Sequence, residues 1–246
     1  DAAVVFSSVM AQYAQAAEVA AAEPMLVDFV DVDSAKWTQY AGQHRWPMSW
    51  VYAREGRHLL AYERATALRA RRSFFVTENE AAMFRGMAPE SADRVEAVSN
   101  GVDAEFFAPD EGRPSPFPAG ETPVVFTGAM DYWPNIDAVT WFARAMLPVL
   151  RASHPDIRFY VVGRSPPAAV QALAGEGLIV TGTVPDVRPF LQHAAVVVAP
   201  MRIARGVQNK ILEAMAMGRP VVAASTCAGA IQAVAGTELM SAEAEG

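Results

Sequence analysis

The sequence predicts an α/β protein with parallel sheets, and three observations support this class. Short β-branched or aliphatic runs alternate with helix-like segments along almost the whole chain. Several of these runs are apolar throughout, which is typical of strands buried on both faces of a parallel sheet. Hydrophobic residues make up 52% of the 246 residues and charged residues 19%. This composition provides enough apolar surface for a core and excludes a disordered chain.

The individual elements follow from local patterns. Strands are predicted at 2–6, 25–30, 73–77, 95–99, 124–127, 158–162, 178–181, 195–199 and 220–223. Helices are predicted over 14–22 and 47–70, after a capping box at Thr77, from a first turn with Pro134, after a cap at Asp186, and over 207–217 before Gly218. Strands that alternate with helices in this way favour βαβ units.

A proline-rich segment divides the chain. Prolines are concentrated between 108 and 123, and this composition is typical of a semi-rigid linker. We therefore predict a partial N-terminal Rossmann-like domain at 1–108, a linker at 109–122 and a C-terminal Rossmann-like domain at 123–246. Because the first residues already have the pattern of a strand, we expect the N-terminal domain to be truncated.

Charge and composition exclude several function classes. The net charge of −7 argues against a general nucleic-acid surface, which would be basic along one face. The longest aliphatic run, 194–199, is far shorter than the roughly 20 residues of a membrane-spanning helix. The single cysteine, Cys227, permits no internal disulfide. None of the four histidines has metal-ligand spacing with another histidine or with the cysteine, so no metal site is predicted.

The window 200–220 has the opposite charge from the rest of the chain. It contains one acid, Glu213, and four basic residues, Arg202, Arg205, Lys210 and Arg219. Ligands of open α/β sheets bind beyond the carboxyl ends of the strands, where a helix N-terminus attracts anions. Lys210 adds a full charge there, and Glu213 lies on the same helix face. The pattern predicts a nucleoside-diphosphate site; the alternatives are a solvated helix face and a surface pair of Lys210 with Glu213.

At this point a family resemblance becomes specific. The segment 209–222, NKILEAMAMGRPVV, resembles the donor-binding signature of family 4 retaining glycosyltransferases of the GT-B fold. Further matches occur in the family's order at 98–109, 125–128, 133–135, 161–163 and 181–187, so the resemblance covers nearly the whole chain. The run 31–41 is similar to the sugar transferases of PEP-CTERM/exosortase exopolysaccharide clusters. The resemblance implies two Rossmann-like domains that face a cleft.

The resemblance also implies an activity. It is that of a metal-independent retaining hexosyltransferase, without a cofactor, that moves a sugar from a UDP- or GDP-sugar to a hydroxyl of a lipid-linked or oligosaccharide acceptor. The implied setting is bacterial exopolysaccharide biosynthesis in the cytoplasm, at the inner face of the plasma membrane, with peripheral membrane association. Two alternatives stay open: a GT-B nucleotide-sugar epimerase and a catalytically silent nucleotide-sugar-binding scaffold.

Roles for individual residues are carried over from the family's motifs. Glu213 would bind the ribose hydroxyls, Lys210 the diphosphate, and Val184 would lie near the base. The predicted donor-binding residues are Gly128, Gly163, Arg164, Val184, Arg202, Arg205, Gly206, Val207, Gln208, Asn209, Lys210 and Glu213. The resemblance does not identify the catalytic residues.

Two positions depart from the family's pattern. A glutamate usually stands eight positions before Glu213, and here that position is Arg205. We expect Arg205 to bind phosphate, because a guanidinium fork suits phosphate oxygens. The usual Arg and Lys after the first glycine-rich turn are also missing, and the matching region contains Asp131, Trp133 and Asn135. The basic residues of the window 200–220 are expected to supply the charge instead.

The first half of the chain contains two further candidates. The sequence Asp31-Val32-Asp33 has the superficial form of a metal-binding motif, but it is predicted as a strand-end loop with Asp31 and Asp33 as acceptor-side candidates. Aromatic residues cluster just after it, at Trp37, Tyr40, Trp46, Trp50 and Tyr52. Core packing is the favoured interpretation of this cluster, and stacking on sugars or on a lipid-linked acceptor is the alternative.

Overall fold

The computed structural model describes residues 2–14, 24–204 and 206–243. The chain divides into two compact units, Asp1–Asn100 and Gly101–Gly246. Apart from its first residue, the helix predicted over 14–22 lies outside the described residues. No helix in the described ranges is long and apolar enough to cross a membrane.

The first unit contains a four-stranded sheet in which all neighbouring strands are parallel, in the order β1-β2-β3-β4. Its strands are β1 (Ala3–Phe6), β2 (Met25–Val30), β3 (Arg72–Phe75) and β4 (Val95–Ala97). Its α-helices are α1 (Ala11–Ala14), α2 (Asp33–Gln43), α3 (Met48–Arg69) and α4 (Glu78–Met87). The core forms where Phe29 stacks on Phe75 with ring centroids 5.3 Å apart, and Phe84 of α4 packs against both rings.

The threonine half of the capping box predicted at the start of α4 is present. The Thr77 side chain accepts a hydrogen bond from the backbone N–H of Glu80 at 3.1 Å, which satisfies one of the amides that a helix start leaves without an intrahelical partner. The Glu80 carboxylate accepts a hydrogen bond from the Val32 N–H at 2.7 Å. Helix α4 is therefore capped by its own threonine and tied to the loop after β2 by its first-turn glutamate.

Replacing Thr77 by alanine is expected to lower the free energy of unfolding by about 1 kcal/mol, because the Glu80 amide loses its acceptor. Urea unfolding measures this loss. The matched variant is Thr77→Ser, which keeps the hydroxyl and should lose much less. Equal losses in the two variants would assign the effect to the missing methyl group instead of the cap.

The second unit contains a six-stranded sheet, also parallel between all neighbours, in the order β10-β9-β8-β5-β6-β7. Its strands are β5 (Thr122–Thr127), β6 (Ile157–Val162), β7 (Leu178–Gly182), β8 (Val196–Ala199), β9 (Val221–Ala224) and β10 (Met240–Ala242). Its α-helices are α5 (Trp133–Trp141), α6 (Leu147–Ser153), α7 (Ala168–Gln171), α8 (Arg188–Gln192), α9 (Asn209–Ala216) and α10 (Ser225–Ala228), with a π-helical turn at Phe142–Met146 between α5 and α6. The chain leaves β5 toward β6 and returns to its other side at β8, so the strand order reverses there. Ligands of open α/β sheets bind at such a point.

The segment predicted as a linker packs on the second unit. The Asp110 N–H donates to Gln192 Oε1 at 3.0 Å, and Gln192 Nε2 donates to the Asp110 carbonyl at 2.7 Å. The Phe117 ring lies 4.6 Å from the Tyr160 ring between centroids. The Arg188 guanidinium also lies 4.0 Å from the centre of the Phe106 ring, so a residue before the predicted linker contacts α8 as well. The second compact unit begins at Gly101, whereas the sequence predicts a linker at 109–122.

Candidate functional site

A cavity of about 520 Å³ lies in the second unit at the carboxyl ends of β5, β6 and β7. The first turn of α9 forms its opposite wall. Its lining residues are Thr127, Gly128, Ala129, Val162, Gly163, Arg164, Thr183, Val184, Val187, Val207, Asn209, Lys210 and Glu213. The amides of a helix's first turn carry partial positive charge and lack intrahelical acceptors, so this wall favours an anion.

Two strand-end turns touch at one side of the cavity. The Gly128 N–H donates to the Val162 carbonyl at 3.0 Å, and the Met130 N–H donates to the Arg164 carbonyl at 2.8 Å. A Cβ atom at Gly163 would lie 1.8 Å from the Gly128 carbonyl oxygen, which no side chain tolerates. The absence of a side chain at Gly163 therefore lets the β5 and β6 turns meet, and backbone forms this part of the cavity wall.

Lys210 brings a buried positive charge to the site. Lys210 is 8% exposed. Its Nζ donates to Asn135 Oδ1 at 2.8 Å and lies 4.0 Å from the centre of the Phe126 ring. Burial lowers the pKa of Lys210 to about 8, so the side chain is still mostly protonated at pH 7. A poorly solvated ammonium beside an anion-binding helix start is suited to bind phosphate oxygens.

Glu213 lies one turn further along α9 and is half-buried. Burial raises the pKa of its carboxyl, and the positive charge of Lys210 opposes that shift. The salt bridges found among the described residues do not include a pair of Lys210 with Glu213. Both side chains face the cavity, so their placement differs from the alternative of a simple surface pair.

Most of the predicted donor-binding residues meet at this cavity. They are Gly128, Gly163, Arg164, Val184, Val207, Asn209, Lys210 and Glu213. Gly206 and Gln208, which precede α9, do not line the cavity. Arg205 lies outside the described residues. The structure does not bring Arg202 to this cavity: its guanidinium pairs with both carboxylate oxygens of Asp137 and lines a different cavity.

Sequence reasoning missed five lining residues: Thr127, Ala129, Val162, Thr183 and Val187. Thr127 is the most informative of them, because its residue is 4% exposed and its Oγ1 has no hydrogen-bond partner in the described part of the chain. A buried hydroxyl without a partner is costly. Its position at the end of β5, directly before Gly128, is the signal that could have identified it.

The two acceptor-side candidates lie in the first unit, in the loop after β2 and at the start of α2. Lys36 Nζ lies 2.9 Å from Asp31 Oδ2 and 3.0 Å from Asp33 Oδ1. Asp31 Oδ1 is buried and has no partner among the described residues, and Val30 before it has the left-handed φ of 69°, a rare conformation for a β-branched residue. In the described ranges no group of three His, Cys, Asp or Glu side chains is arranged to hold a metal ion.

The aromatic cluster of the first unit separates into two parts. Trp37, Tyr40 and Tyr52 pack on one another, with 5.5 Å between the ring centroids of Trp37 and Tyr52. Trp46 is 80% exposed and Trp50 is 57% exposed. The first three residues are half-buried and pack on one another outside the first unit's buried core, while the last two are exposed.

Solved structures with the same fold were found by comparison. HepE from Anabaena in complex with UDP aligns with 98% of this chain and 65% of its own, at 15% identity and a TM-score of 0.71. Sucrose-phosphate synthase from Thermosynechococcus elongatus aligns with 91% of this chain and 55% of its own, at 18% identity and a TM-score of 0.66. The UDP-forming α,α-trehalose-phosphate synthase from Burkholderia xenovorans aligns with 98% of this chain and 62% of its own, at 12% identity and a TM-score of 0.66.

These similarities, together with the two parallel sheets, confirm the predicted α/β fold of the GT-B glycosyltransferases. The chain spans 65% of the length of the HepE structure. No curated protein matches the sequence significantly. The family model described as "Glycosyl transferases group 1" matches residues 121–244, which is half of the chain and includes every residue of the cavity. This chain therefore belongs to the group 1 glycosyl transferases.

Proposed function

We propose that the second unit binds the nucleotide sugar of a glycosyltransferase that transfers the sugar to an acceptor hydroxyl. The observation that carries this proposal is the cavity at the strand ends, where the Lys210 ammonium, the Glu213 carboxylate and the first turn of α9 face one space. In the proposed complex the diphosphate contacts Lys210 and the helix amides, and Glu213 accepts hydrogen bonds from the ribose hydroxyls. HepE was solved with UDP and with UDP-glucose, so UDP is the first nucleotide to test and GDP the second.

The proposed chemistry follows from these charges. Breaking the bond between the sugar and the diphosphate places negative charge on the leaving group, and preorganised positive groups stabilise that charge. Lys210 and the α9 amides supply such groups without a metal ion. An epimerase would need a carboxylate or histidine pair facing the sugar, and the described residues that line the cavity include one carboxylate, Glu213, and no histidine.

The finer assignments rest on the sequence resemblance. It supports a family 4 enzyme that retains the anomeric configuration, transfers a hexose and acts in bacterial exopolysaccharide biosynthesis at the cytoplasmic face of the membrane, in peripheral association with it. The acceptor is proposed to be a lipid-linked sugar or an oligosaccharide. Asp31 is the acceptor-side candidate in the first unit, because its buried Oδ1 still lacks a partner among the described residues.

Replacing Glu213 by alanine is expected to weaken UDP binding tenfold or more, since a charge-assisted contact of about 1.5–3 kcal/mol is lost. Isothermal titration calorimetry with UDP, GDP and ADP measures this effect. The control is Glu111→Ala, which removes an exposed glutamate of the same unit and should bind like the wild type.

Two outcomes would contradict the proposal. If Glu213→Ala bound UDP with unchanged affinity, Glu213 would not contact the nucleotide. Failure of the wild-type chain to bind any of the three nucleotides would contradict nucleotide binding at this cavity, in a transferase and in a silent scaffold alike.

A further inference from the structure

Asn135 is a buried amide that joins the glycine turn after β5 to Lys210. The residue is 5% exposed. Its Nδ2 donates to the Ala129 carbonyl at 2.8 Å, and its Oδ1 accepts from Lys210 Nζ at 2.8 Å. A Cβ atom at Gly128 would lie 2.8 Å from Asn135 Nδ2 and 3.2 Å from Lys210 Nζ, so the turn, the amide and the ammonium are in direct contact.

The surroundings of the ammonium are otherwise mainly apolar. The Phe126 ring lies on one side, and Met201 Sδ is 4.0 Å away. Two titratable groups influence Lys210, Glu213 from its own helix and Cys227 from α10. Burial raises the pKa of the Cys227 thiol to about 11, so the thiol stays neutral at physiological pH. Asn135 Oδ1 is therefore the oxygen that holds the ammonium in place in the described structure.

The neutrality of this oxygen matters for the site. A carboxylate at the same distance would cancel the charge of the ammonium and repel a diphosphate. An amide oxygen fixes the direction of Lys210 and leaves its full positive charge available to an anion in the cavity. The same side chain also fixes the position of the Ala129 carbonyl in the turn that forms the cavity wall.

We propose that Asn135 is the positioning residue of the nucleotide site: it orients the Lys210 ammonium and the turn after β5 toward the diphosphate. This inference rests on the function proposed above. Asn135 stands in the region where family members usually have basic residues, so here one neutral side chain directs a lysine from another helix to the place where charge is required.

The test compares the pH dependence of UDP binding in three chains, the wild type, Asn135→Ala and Asn135→Asp. Calorimetry is performed between pH 7 and pH 10, where the phosphates of UDP, with a second pKa of about 6, are ionised. In the wild type, affinity should fall above about pH 8, as Lys210 loses its proton. Asn79→Ala is the control, because it removes an exposed asparagine of the first unit.

The two variants should shift the pH at which UDP affinity begins to fall, and they should shift it in opposite directions. In Asn135→Ala the ammonium loses its acceptor, so the decline should begin at lower pH, and affinity at pH 7 should fall about tenfold, the equivalent of 1.4 kcal/mol. In Asn135→Asp the carboxylate stabilises the ammonium, so the decline should begin at higher pH, with weaker affinity at pH 7 because the charge is cancelled. A merely structural role would not produce opposite displacements.

Each outcome is decisive. If the wild type binds UDP and both variants keep its affinity and pH profile, the positioning role is overturned while the proposed function stands. If the wild type binds no nucleotide, the proposed function itself fails. Should Asn135→Ala not fold, the isosteric Asn135→Asp variant still decides, because an unchanged profile there contradicts the contact.

Discussion

The Lys210→Met variant is expected to lose nucleotide binding and to gain stability through the same change. Methionine has nearly the same length as lysine and fits beside Phe126 and Met201, which already contact this side chain. The displacement of the Lys210 pKa from 10.5 to about 8 corresponds to roughly 3 kcal/mol lost on burying the charge, at about 1.4 kcal/mol per pKa unit. Leaving Asn135 Oδ1 without a donor offsets about 1–2 kcal/mol of this. The free energy of unfolding should therefore rise by about 1–2 kcal/mol at pH 7.

The gain should depend on pH in a defined way. Below about pH 8 Lys210 is protonated in the folded and the unfolded chain, so the full cost of burying the charge is present. Between about pH 8 and pH 10.5 the unfolded chain still holds the proton and the folded chain has lost it. The wild type therefore becomes more stable as pH rises through this window, and the advantage of Lys210→Met should shrink.

Urea unfolding at pH 7 and pH 9.5 tests the expected gain in stability and its dependence on pH. Calorimetry of UDP binding at pH 7 tests the expected loss of nucleotide binding. The control is Lys36→Met at the other lysine of the chain, which pairs with Asp31 and Asp33 and should be destabilised by the same substitution. A Lys210→Met variant that is less stable than the wild type at pH 7 would show that the Asn135 and Phe126 contacts outweigh the cost of burial. If Lys210→Met bound UDP with wild-type affinity, Lys210 would not belong to the nucleotide site.

The regular elements of the fold could be predicted because their signals are local. Each of the nine predicted strands is present within about two residues of its expected ends, since apolar runs bounded by turn residues define them. Strand β10 (Met240–Ala242) was missed because it is short and exposed. Helix α8 begins at Arg188, whose N–H donates to Asp186 Oδ1 at 2.9 Å. The N-cap position is occupied by Val187, so the predicted cap Asp186 lies one residue before it and still bonds the first amide of the helix.

The π-helical turn and the docking of the linker were not predictable in the same way. Pro148 interrupts the hydrogen bonding of a continuous helix directly after Phe142–Met146, but no local pattern specifies how the chain accommodates it. The proline-rich segment has the composition of a linker, whereas its position depends on Gln192 in a distant helix.

The candidate site shows the same division. The basic start of α9 predicted Lys210 and Glu213 at the cavity from the residues themselves. The family resemblance supplied the other lining residues that were predicted, and five were missed. The contact of Lys210 with Asn135 joins residues 75 positions apart, so it depends on how α5 and α9 pack on the sheet. Arg202 does not line the cavity, and Asp137, on α5, pairs with its guanidinium; charge counting within the window 200–220 could not detect a partner from another element.

Glu63 is a charged residue in a place that sequence patterns do not predict. It lies inside α3 with no exposed surface. Its carboxylate accepts hydrogen bonds from the Ser34 N–H at 3.1 Å and from Ser34 Oγ at 2.5 Å. Burial raises the pKa of this carboxyl to about 7; the bonds from Ser34 oppose the shift, and the charge of Asp33 adds to it.

This shift makes the stability of the protein depend on pH. Between pH 4.5, the ordinary pKa of a glutamate, and about pH 7, the folded chain holds the proton and the unfolded chain has lost it. The folded state binds more protons there, so stability falls as pH rises through the window and then levels off. The size of the fall is on the order of 3 kcal/mol, from about 1.4 kcal/mol per pKa unit.

Glu63→Gln is expected to remove this dependence, because the amide does not titrate and its oxygen still accepts a hydrogen bond from Ser34. The free energy of unfolding of the variant, relative to the wild type, should increase by about 2–3 kcal/mol between pH 5 and pH 8. Urea unfolding at half-unit pH intervals measures the difference, and Glu111→Gln, at an exposed position, controls for the general loss of a carboxylate. If the difference between Glu63→Gln and the wild type stays constant over this range, the carboxyl must already be ionised in the folded protein at pH 5. The hydrogen bonds from Ser34 would then outweigh burial, and α2 would be held at its first turn by a charged carboxylate instead of a neutral acid.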